Sequence, residues 1–155
     1  MKLSTKTRYG TRILIELALD DSKSAMQVSK ISTSQKIPAK YLEQLLRLLK
    51  QAGFVKSVRG PKGGHLLAKK PTEISLGQIV RLFEGPTDLV ECVSSPETCD
   101  MAAQCLVRDA WQQATQVLYE KLDGISIADL LQNTSHNNGM APCISSVKEA
   151  ISKQL

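Results

Sequence analysis

What this chain lacks narrows its class before any motif is read. No long apolar run is present: the longest, Ile13–Leu19, is interrupted by Glu16 and falls far short of the roughly 20 residues that span a bilayer. Basic residues stand near the N-terminus (Lys2, Lys6, Arg8), but no uninterrupted apolar stretch or small-residue cleavage site follows them, so no secretory signal is read there. There is no internal repeat, and strand-like alternation is confined to one short region. With 42% hydrophobic residues among 155 positions and a mean hydropathy of −0.14, neither disorder nor a membrane protein is expected. A globular protein of the cytoplasm is.

Acidic residues are scarce in the first half. Residues 1–70 hold 15 Lys/Arg against 4 Asp/Glu, a surplus of +11; residues 71–155 hold 5 against 11, a balance of −6, and together these give the chain's +5. Such asymmetry points to a basic working module joined to something acidic with another job. A solvated lysine-rich surface would have the same composition, so the placement of the charges decides.

Three helices are predicted in the basic half. Tyr9, Ile13, Leu17 and Ala18 recur at helical spacing behind Ser4, a candidate N-cap. A second helix is expected near Met26–Gln35, anchored by Val28 and Ile31. A third starts at Pro38, where a first turn tolerates proline, and ends at Ala52 before Gly53. In the third, Leu42, Leu45, Leu46, Leu49 and Ala52 follow the 3.6-residue period and should be buried. Lys40, Glu43, Gln44, Arg47, Lys50 and Gln51 form the opposite face, with side chains of the kind that read base edges and phosphates. Two short helices joined by a tight turn, the second polar and basic outward, make a helix-turn-helix.

Next, Phe54–Val58 alternates as a strand, Arg59-Gly60-Pro61-Lys62-Gly63-Gly64 reads as a glycine turn, and His65–Ala68 returns. A β-hairpin with a basic tip directly after a recognition helix is the layout of a winged helix. Arg59, Lys62 and His65 therefore join the candidate DNA contacts. The glycine run lacks the Lys-Ser/Thr of a phosphate loop, so a nucleotide site is not expected.

Ser75-Leu76-Gly77-Gln78 fits a capping box and starts a helix running to Gly85. From Pro86 to about Asp100 no helical period is seen. Val107, Trp111, Ala114, Leu118 and Leu122 then mark a longer helix with one apolar stripe, a stripe that pairs with a twin in a dimer or packs within its own subunit. Ser126 caps a last core helix through Leu131. Gln132–Gly139 reads as a polar linker, and Cys143–Leu155 as an amphipathic tail.

Four cysteines are unevenly spread: Cys92, Cys99 and Cys105 lie within 14 residues, and Cys143 stands alone. In a reducing compartment a disulfide framework is not expected, and clustered cysteines bind metal or do redox chemistry. Cys92-x6-Cys99-x5-Cys105 is too loose for the pairs of a zinc ribbon. Soft thiolates gathered from a loop suit an iron–sulfur cluster, with inert thiols or zinc as the other readings. Three cysteines leave a position for a non-cysteine ligand, which suits a sensor better than a permanent electron carrier.

Together, MKLSTKTRYGTRILIELAL, YLEQLLRLLKQAGFVKSVRGPKGGHLL, SLGQI and the cysteine trio followed by Leu106 and Trp111 resemble the IscR-type family over roughly residues 1–131. This bacterial winged-helix group includes an iron–sulfur cluster regulator, a nitric-oxide sensor and a cysteine-metabolism repressor. The resemblance, nearest in pattern to the cluster regulator, implies a homodimer on double-stranded DNA with two half-sites. It places Tyr41, Glu43 and Gln44 at recognition-helix positions, Arg59 at the minor-groove position of the wing, and Cys92, Cys99 and Cys105 on the cluster cysteines. A 2Fe–2S cluster is favoured, a 4Fe–4S cluster being the alternative. The chain departs from that pattern at three places. Arg108 stands where the cluster regulator has a histidine ligand, and Arg8 where the nitric-oxide sensor recruits an aspartate from the partner's first helix. The fourth ligand is thus unassigned among Asp100, Asp109, Cys143 and a small exogenous molecule. Lys36 stands where the helix-turn-helix usually has glycine, and a left-handed lysine costs on the order of 1 kcal/mol.

The expected architecture is mainly α. A winged helix-turn-helix domain occupies residues 1–85, a cysteine-bearing loop 86–105, a dimerisation helix with a closing helix 106–131, and a linker and tail 132–155. The expected function is transcriptional regulation by a cluster-modulated DNA-binding protein. A cluster carrier or small redox protein, and a cluster-free thiol- or zinc-responsive repressor, are the alternatives. No nucleophile–base pair or carboxylate dyad stands in a catalytic context, so an enzyme is not expected.

Overall fold

The computed structural model describes residues 3–20, 24–85 and 88–134. Cys143, the expected tail helix and most of the expected linker lie outside the described residues. Helices α1 (Thr5–Leu19), α2 (Val28–Gln35) and α3 (Ala39–Gln51) precede an antiparallel hairpin of β1 (Val55–Val58) and β2 (Gly64–Leu67). After it come α4 (Leu76–Glu84), the single turn α5 (Glu91–Ser94), the long α6 (Arg108–Asp123) and α7 (Ile127–Thr134), with short 3₁₀ turns between. The architecture is the mainly helical one expected, with the hairpin as its sheet. No helix among the described residues is long and apolar enough to cross a membrane.

The core follows the apolar periods. Leu42, Leu45, Leu46 and Leu49 of α3 are buried, as are Ile13, Leu14 and Leu17 of α1, Ile31 of α2 and Ile79 of α4. At about 1.5–3 kcal/mol for each fully buried aliphatic side chain, α3 is held by its leucines rather than by propensity. Ser75 and Gln78 form the predicted capping box, each side chain bonding the other's backbone N–H at 3.2 Å. Ser126 and Asp129 build a second one at the head of α7. Backbone bonds of 2.9 Å from Leu76 to Ile125 and from Ile127 to Ile74 dock these two helix starts together.

Several boundaries differ from expectation for physical reasons. Helix α2 begins at Val28, not Met26, because Met26 exchanges two 2.9 Å backbone bonds with His65 and extends the wing by one bridge. Ser4 stands at the N-cap of α1 without a side-chain cap bond. The anion there is Glu84, which accepts from the Ser4 N–H at 2.8 Å and from the Thr7 hydroxyl. The segment before α6, expected as a loop, contains α5 and two 3₁₀ turns. The first half of the apolar stripe is uncovered: Val107, just before α6, is 58% exposed, Trp111 45%, and Ala114 is exposed, whereas Leu118 and Leu122 are half-buried; Val117, off the stripe, is 63% exposed. Only Thr115 is buried on that helix.

Candidate nucleic-acid interface and cysteine loop

Helix α3 follows a turn that its sequence strains. Lys36 ends α2 in the left-handed region (φ 53°, ψ 43°), as its place in the motif implied. The turn is held by Lys36 and Ile37 N–H bonds to the Ser32 carbonyl, and by the Ser32 hydroxyl donating to the Ile37 carbonyl at 2.7 Å. With the leucines inward, Lys40, Glu43, Gln44, Arg47 and Lys50 are all exposed on one face. Tyr41 is different. It is half-buried, and its ring meets Tyr9 of α1 edge-on, with centroids 6.1 Å apart.

The wing carries Arg59 and Lys62 at an exposed tip. Gly60 has φ 114°, which only glycine adopts without strain. Gly64 is required for a different reason: a Cβ there would collide with the Met26 carbonyl, so glycine lets the segment before α2 lie against the hairpin. His65 pairs across the hairpin with Ser57. Its Nδ1 is buried without a hydrogen-bond partner. Burial, then the nearby Lys50 charge, push its pKa below the ordinary imidazole value of 6.5, while Glu43 pulls the other way. The imidazole is therefore neutral near pH 7 and does not add to the positive surface. One face of the molecule thus presents a polar helix and a basic hairpin tip side by side.

Helix α2 adds residues that the sequence reading passed over. Ser29, Lys30, Thr33 and Ser34 line a shallow surface concavity, where hydroxyls and an ammonium suit phosphate oxygens. The signal was present as the hydroxyl-rich stretch Ser29–Ser34, which carries no apolar period of its own.

The cysteine trio lies on the segment just before the long helix α6. Cys92 sits in α5, Cys99 ends the Pro96–Thr98 turn, and Cys105 follows the Ala102–Gln104 turn. Cys92 and Cys105 are half-buried and Cys99 is exposed, all as free thiols. Arg108 ties this loop to α6. Its Nε donates to the Cys92 carbonyl at 2.9 Å and its backbone N–H to the Cys105 carbonyl at 3.3 Å. The Thr115 hydroxyl accepts from the Leu89 N–H at 3.2 Å, a second tie. Three soft thiols on one loop are the right donor chemistry for an iron–sulfur cluster. Among the described residues, however, no three His, Cys, Asp or Glu side chains are gathered closely enough to hold a metal. Arg108 itself offers only cationic donors and no ligand atom. Of the other fourth-ligand candidates, Asp100 and Asp109 are exposed, and Cys143 lies outside the described residues.

A helix-turn-helix whose second helix turns a polar face outward, followed directly by a basic wing, defines a winged-helix DNA-binding protein. The chain's relatives make the class specific. Residues 3–133 match the family described as Rrf2, iron-dependent transcriptional regulator, and the chain belongs to that family. Protein rrf2 of Nitratidesulfovibrio vulgaris is 38% identical over 135 residues, covering 87% of this chain and 90% of the relative. Among solved structures, CymR of B. subtilis, described as its global cysteine regulator, superposes with a TM-score of 0.71 at 35% identity over 86% of this chain and 98% of its own. IscR of T. potens gives a TM-score of 0.71 at 30% identity, over 91% of this chain and 93% of its own. The chain is a transcriptional regulator, and not an enzyme.

Proposed function

We propose that this regulator binds a two-half-site operator as a homodimer, and that Cys92, Cys99 and Cys105 modulate the binding by holding an iron–sulfur cluster. The observation that carries this reading is the placement of all three thiols on one loop that Arg108 ties to α6. Around the start of that helix Val107 and Trp111 are uncovered. Such an apolar face on a chain of charged exterior suits a second copy. Helix α6 then sets the separation of the two recognition helices, which must match about one turn of DNA or a multiple.

When bound, a cluster would supply iron–thiolate bonds that cross-link the loop and a group open to oxidative or nitrosative attack. Fixing or freeing the loop beside α6 then biases the dimer, and a coupling of only ~1–3 kcal/mol alters operator occupancy about 5- to 150-fold. Lys40, Glu43, Gln44 and Arg47 would meet the major groove and Arg59 the minor groove, with Lys62 on phosphate. A 2Fe–2S cluster is favoured over 4Fe–4S, and the protein would act in the cytoplasm. A second reading, a thiol-responsive repressor without a cluster, is favoured by the ungathered thiols and by likeness to a cysteine regulator.

Anaerobic purification separates the two. A brown protein absorbing near ~400 nm, with iron lost in Cys92→Ala, Cys99→Ala and Cys105→Ala alike, supports the cluster. Isotherms for one duplex at fixed salt are then compared between loaded protein and the triple-alanine protein. Superimposable curves across several duplexes would remove the switch, and a colourless, iron-free anaerobic protein would leave only the thiol reading.

A further inference from the structure

Helix α1 carries a polar face that composition gives no reason for. Tyr9, Arg12 and Glu16 follow one another at helical spacing, and all three bear on the helix-turn-helix. Gln35, the last residue of α2, is 1% exposed, and Glu16 is 2% exposed. The Gln35 amide donates from Nε2 to Glu16 Oε2 at 2.6 Å. Its Oε1 accepts from Arg12 Nε at 2.9 Å, and its backbone carbonyl accepts from Arg12 Nη2 at 2.6 Å. Arg12 also lies over the Tyr9 ring, 5.5 Å from its centroid. Tyr9 in turn meets Tyr41, in the first turn of the recognition helix, edge-on at an interplanar angle of 74°. The chain of contacts therefore grips both ends of the turn at residues 36–38: Gln35 before it and Tyr41 after it.

Arg12 is the residue common to both grips. Its planar fork bonds two oxygens of Gln35 at once, and the guanidinium lies over the Tyr9 ring of the tyrosine pair. A buried amide is costly unless its polar atoms are paired, and these pair only when the end of α2 lies in one orientation against α1. Such networks specify geometry more than they add stability. Base-edge contacts tolerate errors of only about 0.5 Å and 10–20° in the helix that carries them. Within the turn, the left-handed Lys36 is strained, and the clamp from α1 adds to the local Ser32 bonds that hold it.

We propose that Arg12 is a specificity-positioning residue: by clamping Gln35 and the Tyr9–Tyr41 pair, it sets the angle of the recognition helix and hence discrimination between operator and other DNA. It acts through α2 and α3, not by touching bases.

The test uses the full chain, with wild type, Arg12→Met and Arg12→Lys prepared identically. The operator is the duplex that wild-type protein selects from a random pool, and a mixed-sequence duplex of equal length is the reference. Arg12→Met should bind the operator about tenfold or more weakly, bind the reference duplex within about twofold of wild type, and leave the salt slope unchanged. Arg12→Lys keeps the charge but not the fork, so it should lose the same discrimination; it also covers failure of Arg12→Met to fold. Equal weakening on both duplexes with a shallower salt slope would make Arg12 a phosphate contact and overturn the proposal. So would wild-type discrimination in Arg12→Lys or Arg12→Met accompanied only by a lowered Tm.

Discussion

Arg108 Nε donates to the carbonyl of Cys92 at 2.9 Å, while the backbone N–H of the same arginine reaches the Cys105 carbonyl at 3.3 Å. One residue at the start of α6 thereby holds the first and third cysteines of the loop. Removing its side chain should free the α5 end and leave the α6 end in place. Arg108→Met is expected to label faster with a thiol reagent at Cys92, with little change at the already exposed Cys99. Site-resolved labelling rates by mass spectrometry provide the check, and equal rates at Cys92 in both proteins would show that the arginine does not restrain the loop.

His65 should make the wing's docking pH-dependent. Burial and Lys50 lower its folded pKa, so the unfolded chain takes up the proton first as pH falls. The stability from a neutral, packed imidazole is fully present above the ordinary value of about 6.5 and is lost as pH drops below it toward the folded value. Urea midpoints should therefore fall between about pH 7.5 and about pH 5.5, a window still above the carboxylates. His65→Phe, which keeps a ring in the site, should flatten that part of the profile.

The capped start of α4 was legible because it is local, decided by Ser75 and Gln78. The left-handed lysine was legible only through the resemblance to a motif with glycine at that place, since lysine's own backbone preference opposes the conformation. The buried face of α3 was legible because five apolar positions share one period. Met26 was not, since no local signal separates a residue at a helix start from one just before it, and only the hairpin's tertiary approach makes it a bridge. Glu16 registered merely as a break in an apolar run; its worth depends on Gln35, 19 residues later. Spacing also counted the thiols correctly without saying whether they converge, because loop closure depends on ties such as Arg108 that no pattern of cysteines encodes.

Lys36→Gly should stabilise the protein. Relieving a Cβ in the left-handed region returns about 1–2 kcal/mol, and glycine's freer unfolded chain takes back about 0.5–1. A net gain of roughly 0.5–1 kcal/mol corresponds to a Tm rise of roughly 1–4 °C. Calorimetry at fixed pH reads it. A fall in Tm would mean that the lysine side chain makes compensating contacts.

Gly10→Ala should do the reverse, although alanine is the better helix former by about 1 kcal/mol. Gly10 lies in the middle of α1, and a Cβ there would run into the Phe83 ring of α4. Displacing a packed ring costs about 1–3 kcal/mol, so a net loss of stability is expected. A more stable variant would show that α4 can slide on α1 without penalty.

Glu43 and Arg59 should divide the DNA contact into selection and grip. Glu43 is an exposed acid on a face otherwise formed by Lys40, Gln44, Arg47 and Lys50. Against a phosphate backbone it can only repel, so its favourable role is to accept from a donor such as cytosine N4 in the major groove. Arg59 stands at the exposed wing tip, and on the proposed reading it would enter a narrow minor groove of strong negative potential. Glu43→Ala should leave binding to mixed-sequence DNA unchanged or slightly tighter while flattening base preference at one or two positions of each half-site. Arg59→Ala should weaken operator binding by about 1–3 kcal/mol. Selection from random duplexes, followed by isotherms at fixed salt, reads both. Equal loss of affinity for every sequence in Glu43→Ala would assign the glutamate to holding the helix rather than reading bases.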